Sequence, residues 1–124
     1  MTKRSDAQAA SAARRLAREL TRLKADRTHD KYVQRTYGLA PGEYAEMLAA
    51  QDGRCAICLK VPRTRRLAVD HDHQTGKPRA LLCYLCNKAL GTWEFDPIIA
   101  TLAAQYLTTI ADDFGPITES PQTP

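Results

Sequence analysis

The chain has 124 residues, of which 44% are hydrophobic, and its formal net charge is +4 at pH 7. This length predicts one small domain with a limited core. The sequence contains no apolar run long enough to cross a bilayer and no secretory leader, so we expect a soluble, cytoplasmic protein with no membrane partner.

Positive charge is concentrated at the start of the chain. Residues 1–38 carry ten Lys and Arg against four Asp and Glu (+6), residues 39–94 carry eight against six (+2), and residues 95–124 carry none against four (−4). A basic half of this kind indicates a polyanionic partner, most simply nucleic acid.

The first predicted element is a basic amphipathic helix. We expect residues 1–4 to be disordered, Ser5 and Gln8 to form a capping box, and the helix to end near Ala25. Its apolar face is formed by alanines and leucines, and its opposite face is formed by Arg14, Arg15, Arg18 and Arg22. This basic face is either a solvated surface, a DNA contact or a docking site for a partner.

A polar connection with His29 as a loop residue is predicted for residues 26–40, which completes a basic region over residues 1–40. A second helix is predicted over Pro41–Asp52, because proline suits the first turn of a helix. Gly53 is expected to end it with a positive φ angle. Residues 41–95 are predicted to form the core of the domain.

Two Cys-x-x-Cys pairs, Cys55/Cys58 and Cys83/Cys86, contain all four cysteines of the chain. Each pair can present two sulfurs to one ion, and four such donors suit tetrahedral zinc. The alternative is two disulfides or four unrelated buried thiols. Disulfides are rare in reducing compartments, so the tight pairs favour a structural zinc ion with no vacant coordination position.

The segment between the pairs is predicted to form a hairpin, with strands Leu67–His71 and Arg79–Cys83 and a turn at residues 74–76. It carries an acid–histidine cluster formed by Asp70, His71, Asp72 and His73. Carboxylates and imidazoles of this kind are metal ligands or general bases. The alternative is that the acids are exposed turn residues and the histidines lie on the surface.

One geometric condition follows from the strand. Asp70 and His71 would point to opposite faces of a regular strand, so a site that uses both requires a bulge or a strand end. Asn87, directly after the last cysteine, adds a neutral oxygen donor that suits Mg²⁺ when it is combined with one carboxylate.

Two helices complete the predicted chain. One begins near Cys86 and Asn87, and the last spans Asp96–Ala111 with Asp96 as the N-cap and Pro97 in the first position. Ile99, Leu102 and Tyr106 share one side of this last helix, which suits the core or a dimer contact. Residues 112–124 are predicted to be a disordered tail.

The order of these motifs resembles the phage recombination endonuclease VII family. The motifs are Cys-x-x-Cys, Leu-x-x-Asp-His-Asp-His, Thr-Gly, Arg-x-Leu-Leu-Cys and x-x-Cys-Asn, and they cover about residues 37–92. That family belongs to the His-Me finger (HNH) nucleases. The resemblance implies an α+β fold with a small zinc-stapled ββα-metal core and flanking helices, and it assigns the zinc to Cys55, Cys58, Cys83 and Cys86.

The same resemblance implies roles for the hairpin residues. Asp70 and Asn87 would bind a catalytic Mg²⁺ or Mn²⁺, His71 would be the general base, and His73 would contact the phosphate, with Arg79 as a further phosphate contact. Two positions depart from the family. Ala80 stands where glycine is usual, and Leu90 stands where a founding member has an acidic residue near the metal, which leaves the metal shell one carboxylate poorer.

These expectations combine into a metal-dependent DNA endonuclease that acts on branched DNA or as a nicking enzyme, in the host cytoplasm if the protein is phage-encoded. One alternative is a non-catalytic zinc module that binds nucleic acid. Another is a zinc-scaffolded protein-interaction module, which leaves the arginine-rich helix and the catalytic residues unexplained. Because resolving a junction needs two paired cuts, a homodimer formed through the flanking helices is also predicted.

Overall fold

The structure is a computed structural model that describes residues 3–92 and 96–114. These residues form four helices and a two-stranded sheet: α1 (Lys3–Tyr37), α2 (Glu43–Ala50), β1 (Ala68–His71), β2 (Pro78–Leu82), α3 (Tyr84–Thr92) and α4 (Pro97–Phe114). The chain divides into two compact units, Met1–Cys83 and Tyr84–Pro124. The α+β class is therefore confirmed.

The helix α1 is longer at both ends than the sequence predicted. Lys3 and Arg4 are already helical, so Ser5 lies inside the helix and the predicted capping box is wrong, while residues 1 and 2 lie outside the described residues. The predicted connection over residues 26–40 is also wrong, since the helix continues to Tyr37. No glycine or proline interrupts residues 3–37, and the helix ends at Gly38 in the left-handed conformation (φ 73°).

The link from α1 to α2 is held by side-chain caps. The Asp30 carboxylate accepts hydrogen bonds from the Gly42 N–H (3.2 Å) and from the Gln34 side chain (2.7 Å). The helix α2 is shorter than the predicted Pro41–Asp52, but Gly53 follows it with φ 69°, as predicted. His29 lies in α1 and not in a loop.

The strands β1 and β2 pair antiparallel and form the predicted hairpin. Its turn is closed by Asp72, whose Oδ1 accepts hydrogen bonds from the N–H groups of Gln74 (2.7 Å) and Thr75 (3.0 Å). Gly76 adopts φ 74° in this turn. Because these bonds favour the charged carboxylate, the pKa of Asp72 is lowered. Asp72 is thus a turn acid, as the alternative interpretation of the cluster proposed.

The core of the first unit lies where the end of α1 and the helix α2 meet the hairpin. Val33 from α1, Tyr44 from α2 and Leu81 from β2 are almost fully buried, together with Leu39, Leu67, Val69 and Leu82. The Tyr44 hydroxyl donates a 2.7 Å hydrogen bond to the Leu67 carbonyl, which fixes α2 against the segment that enters β1. The hairpin is therefore supported by both helices.

The second unit contains α3 and α4. The helix α3 begins at Tyr84, two residues before the predicted start. Asp96 caps α4 as predicted, since its Oδ1 accepts a 2.8 Å hydrogen bond from the Ile98 N–H. Because α4 continues to Phe114, residues 112–114 are helical and the tail prediction is wrong for them; the rest of the predicted tail lies outside the described residues.

Candidate functional site

The four cysteines converge as the spacing predicted. Their Sγ atoms all lie within 4.8 Å of one another, and none of the four forms a disulfide. Cys55 is buried, and the other three are half-buried. Four thiolate donors at this separation suit one tetrahedral zinc ion, so this cluster can hold a structural zinc.

The acidity of Cys55 supports this role. Burial of the sulfur acts to raise its pKa, but hydrogen bonds from the backbone of Cys83, Cys58 and Ile57 outweigh this effect and lower the pKa to about 6. The thiolate is the form that binds a metal. At neutral pH the cluster therefore contains a charged ligand before any ion arrives.

Backbone and amide hydrogen bonds hold the cysteine turns together. The Gln51 side chain accepts a bond from the Leu81 N–H (2.8 Å) and donates one to the Leu81 carbonyl (2.8 Å), which also accepts a bond from Ala56 (3.1 Å). These bonds tie the segment around Cys55 to the strand that leads into Cys83. Gln51 falls near the end of the predicted second helix, and the sequence gives no signal of this role.

Asp70 is a buried carboxylate on β1, with a relative exposure of 5%. Both of its oxygens accept hydrogen bonds from Arg79, with distances of 2.8 Å from Nε to Oδ2 and 3.0 Å from Nη2 to Oδ1. The pKa of Arg79 is raised mainly by this pairing. Asp70 is thus not an exposed turn acid, and Arg79, predicted to contact phosphate, forms an ion pair with the predicted metal ligand.

The required irregularity in the hairpin is present. The pairing register is Asp70 with Ala80 and His71 with Pro78, so Arg79 is the extra residue of a bulge that falls between Asp70 and His71. The extra residue lies on β2, so the bulge re-aims side chains of that strand, whereas β1 ends at His71. The strand end at His71 meets the condition that the sequence set for one site containing Asp70 and His71.

The two histidines of the cluster lie beside each other. The His71 and His73 rings stack with a centroid separation of 4.9 Å and an interplanar angle of 20°. Tyr37, the last residue of α1, lies 5.3 Å from the His71 ring. Tyr37 is a neighbour that sequence reasoning missed, because its position depends on how α1 meets the hairpin.

The remaining predicted residues lie on helices. Asn87 lies in the first turn of α3, directly after Cys86, and is half-buried. The predicted basic face is exposed on α1, where Arg22 forms an ion pair with Glu19 (3.0 Å) and the other three line a shallow depression: Arg14, Arg15 and Arg18. None of the helices in the described part of the chain is long and apolar enough to span a membrane.

Comparison with known proteins bears on the same segment. The sequence model of a family described as recombination endonuclease VII matches residues 30–109. Similar proteins include the Gene 59 proteins of Mycobacterium phages L5 and D29, each 39% identical over 82 residues, which are 65% of this chain and 50% of theirs. The chain thus spans about half the length of these relatives. The matched segment contains the four cysteines and the acid–histidine cluster but not the basic face of α1.

Proposed function

Because the chain belongs to the recombination endonuclease VII family, we propose that it is an endonuclease that hydrolyses phosphodiester bonds in DNA, with a His-Me finger core. The observation that carries this proposal is that β1 ends at His71, directly after the buried carboxylate of Asp70. A buried carboxylate and a ring pair of histidines at one end of a hairpin are suitable groups for metal-assisted hydrolysis.

The protein groups have distinct roles in this proposal. His71 accepts the proton of the attacking water, while His73, whose ring stacks on His71, contacts the phosphate. The four cysteines hold a structural zinc that stiffens the base of the hairpin and takes no part in the chemistry. Structural zinc is worth on the order of 10–16 kcal/mol in small finger domains, which suits a chain with few fully buried side chains.

A catalytic divalent cation is proposed at Asp70, with Asn87 as a second ligand by family resemblance. The donor set fits Mg²⁺ or Mn²⁺, since both residues offer oxygen atoms. Such an ion stabilises negative charge on the phosphate and on the leaving oxygen. Arg79 already donates hydrogen bonds to both Asp70 oxygens. A cation must therefore either share the carboxylate with the guanidinium or displace the guanidinium from it. A released Arg79 would be available to the phosphate.

Cleavage of one strand needs one such site, whereas resolving a branched junction needs two. We therefore propose a homodimer, with the basic face of α1 turned towards DNA, when the substrate is branched. Localisation in the host cytoplasm is proposed with it, because the named relatives are phage proteins.

The decisive experiment incubates supercoiled plasmid and a four-way junction with the purified, zinc-loaded protein, with and without Mg²⁺. We expect nicking or junction cleavage only with the divalent cation. His71→Ala should lower the rate by about 10² to 10⁴, the usual contribution of a positioned base. Added imidazole should restore part of this activity to His71→Ala but none to His73→Ala, because only the first lacks a base.

One observation favours a second function, a non-catalytic zinc module that binds nucleic acid. Asp70 forms a bidentate ion pair with Arg79, which is also what a purely structural carboxylate would do. If the wild-type protein binds DNA but cleaves neither substrate with any divalent cation, this second function replaces the first.

A further inference from the structure

A groove outside the acid–histidine cluster runs along the C-terminal half of α1. It has a volume of about 620 Å³ and is lined mainly by α1 and by Arg66, from the segment that leads into β1. Binding sites for small ligands span roughly 300–1,000 Å³. Its lining includes Lys24, His29, Tyr32, Arg35 and Arg66.

The groove is positively charged. Within the described residues, neither Lys24 nor Arg35 lies within ion-pair distance of a carboxylate, whereas Arg66 is paired with Asp26 at 2.7 Å. Burial and the charge of Arg66 lower the pKa of His29, which disfavours a positive charge on this ring. Two cations without acidic partners therefore remain on one face of α1 to bind an anion.

An exposed aromatic ring lies between these charges. Tyr32 is 46% exposed, although its neighbours His29 and Tyr37 contact it with centroid separations of 6.3 Å and 6.2 Å. These two ring contacts hold the Tyr32 ring in place. An aromatic ring that is fixed but open to solvent, flanked by cations, is the arrangement that stacks a nucleobase and holds its phosphates.

The groove is connected to the acid–histidine cluster. Tyr32 contacts Tyr37, and Tyr37 lies 5.3 Å from the His71 ring. Only two ring contacts thus separate the exposed ring from the proposed general base. This is a short step on the scale of a nucleic-acid strand, so a strand whose phosphate lies at His71 can extend into the groove.

We propose that this groove binds an unpaired nucleotide of the DNA strand, with its base stacked on Tyr32 and its backbone phosphates held by Lys24 and Arg35. The inference rests on the proposed nuclease function, because it takes the strand that reaches His71 as the ligand. It adds a structural selection: a base can stack on Tyr32 only where it is not paired within a duplex. The site therefore favours single-stranded or unpaired positions beside the cut.

The test measures binding without cleavage, in buffer with zinc-loaded protein and no added Mg²⁺. A single-stranded oligonucleotide carries 2-aminopurine, a fluorescent base whose emission falls when it stacks on an aromatic ring. We expect quenching by the wild-type protein and by Tyr32→Phe, which keeps the ring, but not by Tyr32→Leu, which keeps only the apolar volume. Tyr32→Leu should also bind the strand about 5- to 100-fold more weakly. For the same probe within a duplex, adding the protein should cause no further fall in emission.

The cations are tested through the salt dependence of the same affinity. Lys24→Gln or Arg35→Gln should each lower the slope of log affinity against log salt concentration by about 0.7, the value for one phosphate contact on a single strand. Lys60→Gln removes an equal charge outside the groove and should leave the slope unchanged. The assignment of the cations would be overturned if Lys24→Gln, Arg35→Gln and Lys60→Gln all gave the same salt slope. It would also be overturned if Lys60→Gln weakened binding of the strand as much as the other two variants do.

The aromatic part of the proposal is overturned if wild-type protein binds the strand without quenching, a result that needs no variant to fold. It is also overturned if Tyr32→Leu binds as tightly as Tyr32→Phe. Cleavage of plasmid by wild-type protein is scored separately. If the wild-type protein cleaves plasmid but Tyr32→Leu does not weaken binding of the strand, only the proposed nucleotide site in the groove is rejected. If the wild-type protein quenches the probe but cleaves no plasmid, the proposed nuclease function is rejected.

Discussion

The ion pair between Asp70 and Arg79 leads to a prediction about stability. Replacing Arg79 with Gln removes two charge-assisted hydrogen bonds and leaves the buried Asp70 carboxylate without its cation. Loss of one partner of a fully buried pair costs about 3–5 kcal/mol. Exposed pairs are worth at most about 1 kcal/mol. Because the Arg79 side chain is 39% exposed, we expect Arg79→Gln to lower the free energy of unfolding by about 1–3 kcal/mol.

The measurement is urea unfolding of the zinc-bound protein, followed by far-UV circular dichroism in the absence of Mg²⁺. A double-mutant cycle with Asp70→Asn isolates the interaction of the pair, since Asn is nearly the same size and carries no charge. Arg22→Gln is the matched control. It breaks the ion pair with Glu19 on the surface of α1, where both side chains are largely exposed, and should change stability by no more than about 0.5 kcal/mol.

Arg79→Gln should also strengthen the binding of a divalent cation at Asp70. If the guanidinium and a divalent cation both use the Asp70 oxygens, removing the guanidinium should tighten Mn²⁺ binding by about 5-fold or more. Mn²⁺ titration of wild-type protein and Arg79→Gln, followed by electron paramagnetic resonance, gives this ratio. The proposed role of the Asp70–Arg79 ion pair would be refuted by three results together. Arg79→Gln would have wild-type stability, the coupling energy would be near zero, and the Mn²⁺ affinity would be unchanged.

Three further predictions concern zinc, the proposed metal ligand and pH. Cys83→Ser should lose the zinc and unfold the domain, which zinc analysis and circular dichroism detect; a metal-free variant with an unchanged thermal midpoint would contradict this. Asn87→Ala should cut DNA more slowly, and a higher Mg²⁺ concentration should partly restore the rate; a loss that does not respond to Mg²⁺ would exclude the ligand role. Burial and Arg66 hold the pKa of His29 below 6.5, so the unfolded chain binds a proton at this residue more readily than the folded chain does. The free energy of unfolding should therefore fall as the pH drops through 6.5. His29→Gln should abolish this part of the pH dependence.

The parts of the fold that short-range chemistry determines could be predicted from the sequence. The two Cys-x-x-Cys turns bring their sulfurs together, Gly53 takes the left-handed conformation that ends α2, and Asp96 caps α4. Each of these features depends on a few neighbouring residues. The turn at residues 74–76 belongs to the same group, since Gly76 provides its positive φ angle.

The features that were missed depend on contacts between distant elements. The segment after Ala25 is too polar to show a helical periodicity, but Val33 is buried against the hairpin and Asp30 caps the next loop, so tertiary contacts extend α1. Asp70 meets Arg79 beside a bulge that changes the register of the hairpin by one residue. The residue pattern of one strand cannot show where such a bulge falls, because its position is set by the pairing of the two strands.

The proposed homodimer can be tested on two exposed apolar stripes. Each stripe lies on one helix, and its side chains are between 48% and 63% exposed: Leu16, Leu20 and Leu23 on α1, and Ile99, Leu102 and Tyr106 on α4. Exposed apolar rows of this size usually mark an interface, because covering them removes apolar surface from water.

We expect sedimentation equilibrium at micromolar protein to give twice the 13.8 kDa mass of one chain, and Leu20→Lys to return it to a monomer. Val61→Lys places the same charge on an exposed residue outside both helices and should leave the dimer intact. A monomer at all concentrations, with and without DNA, rejects the dimer. If that monomer also nicks duplex and junction DNA at equal rates, one site is sufficient for its activity, and the protein is a nicking endonuclease that needs no symmetry partner.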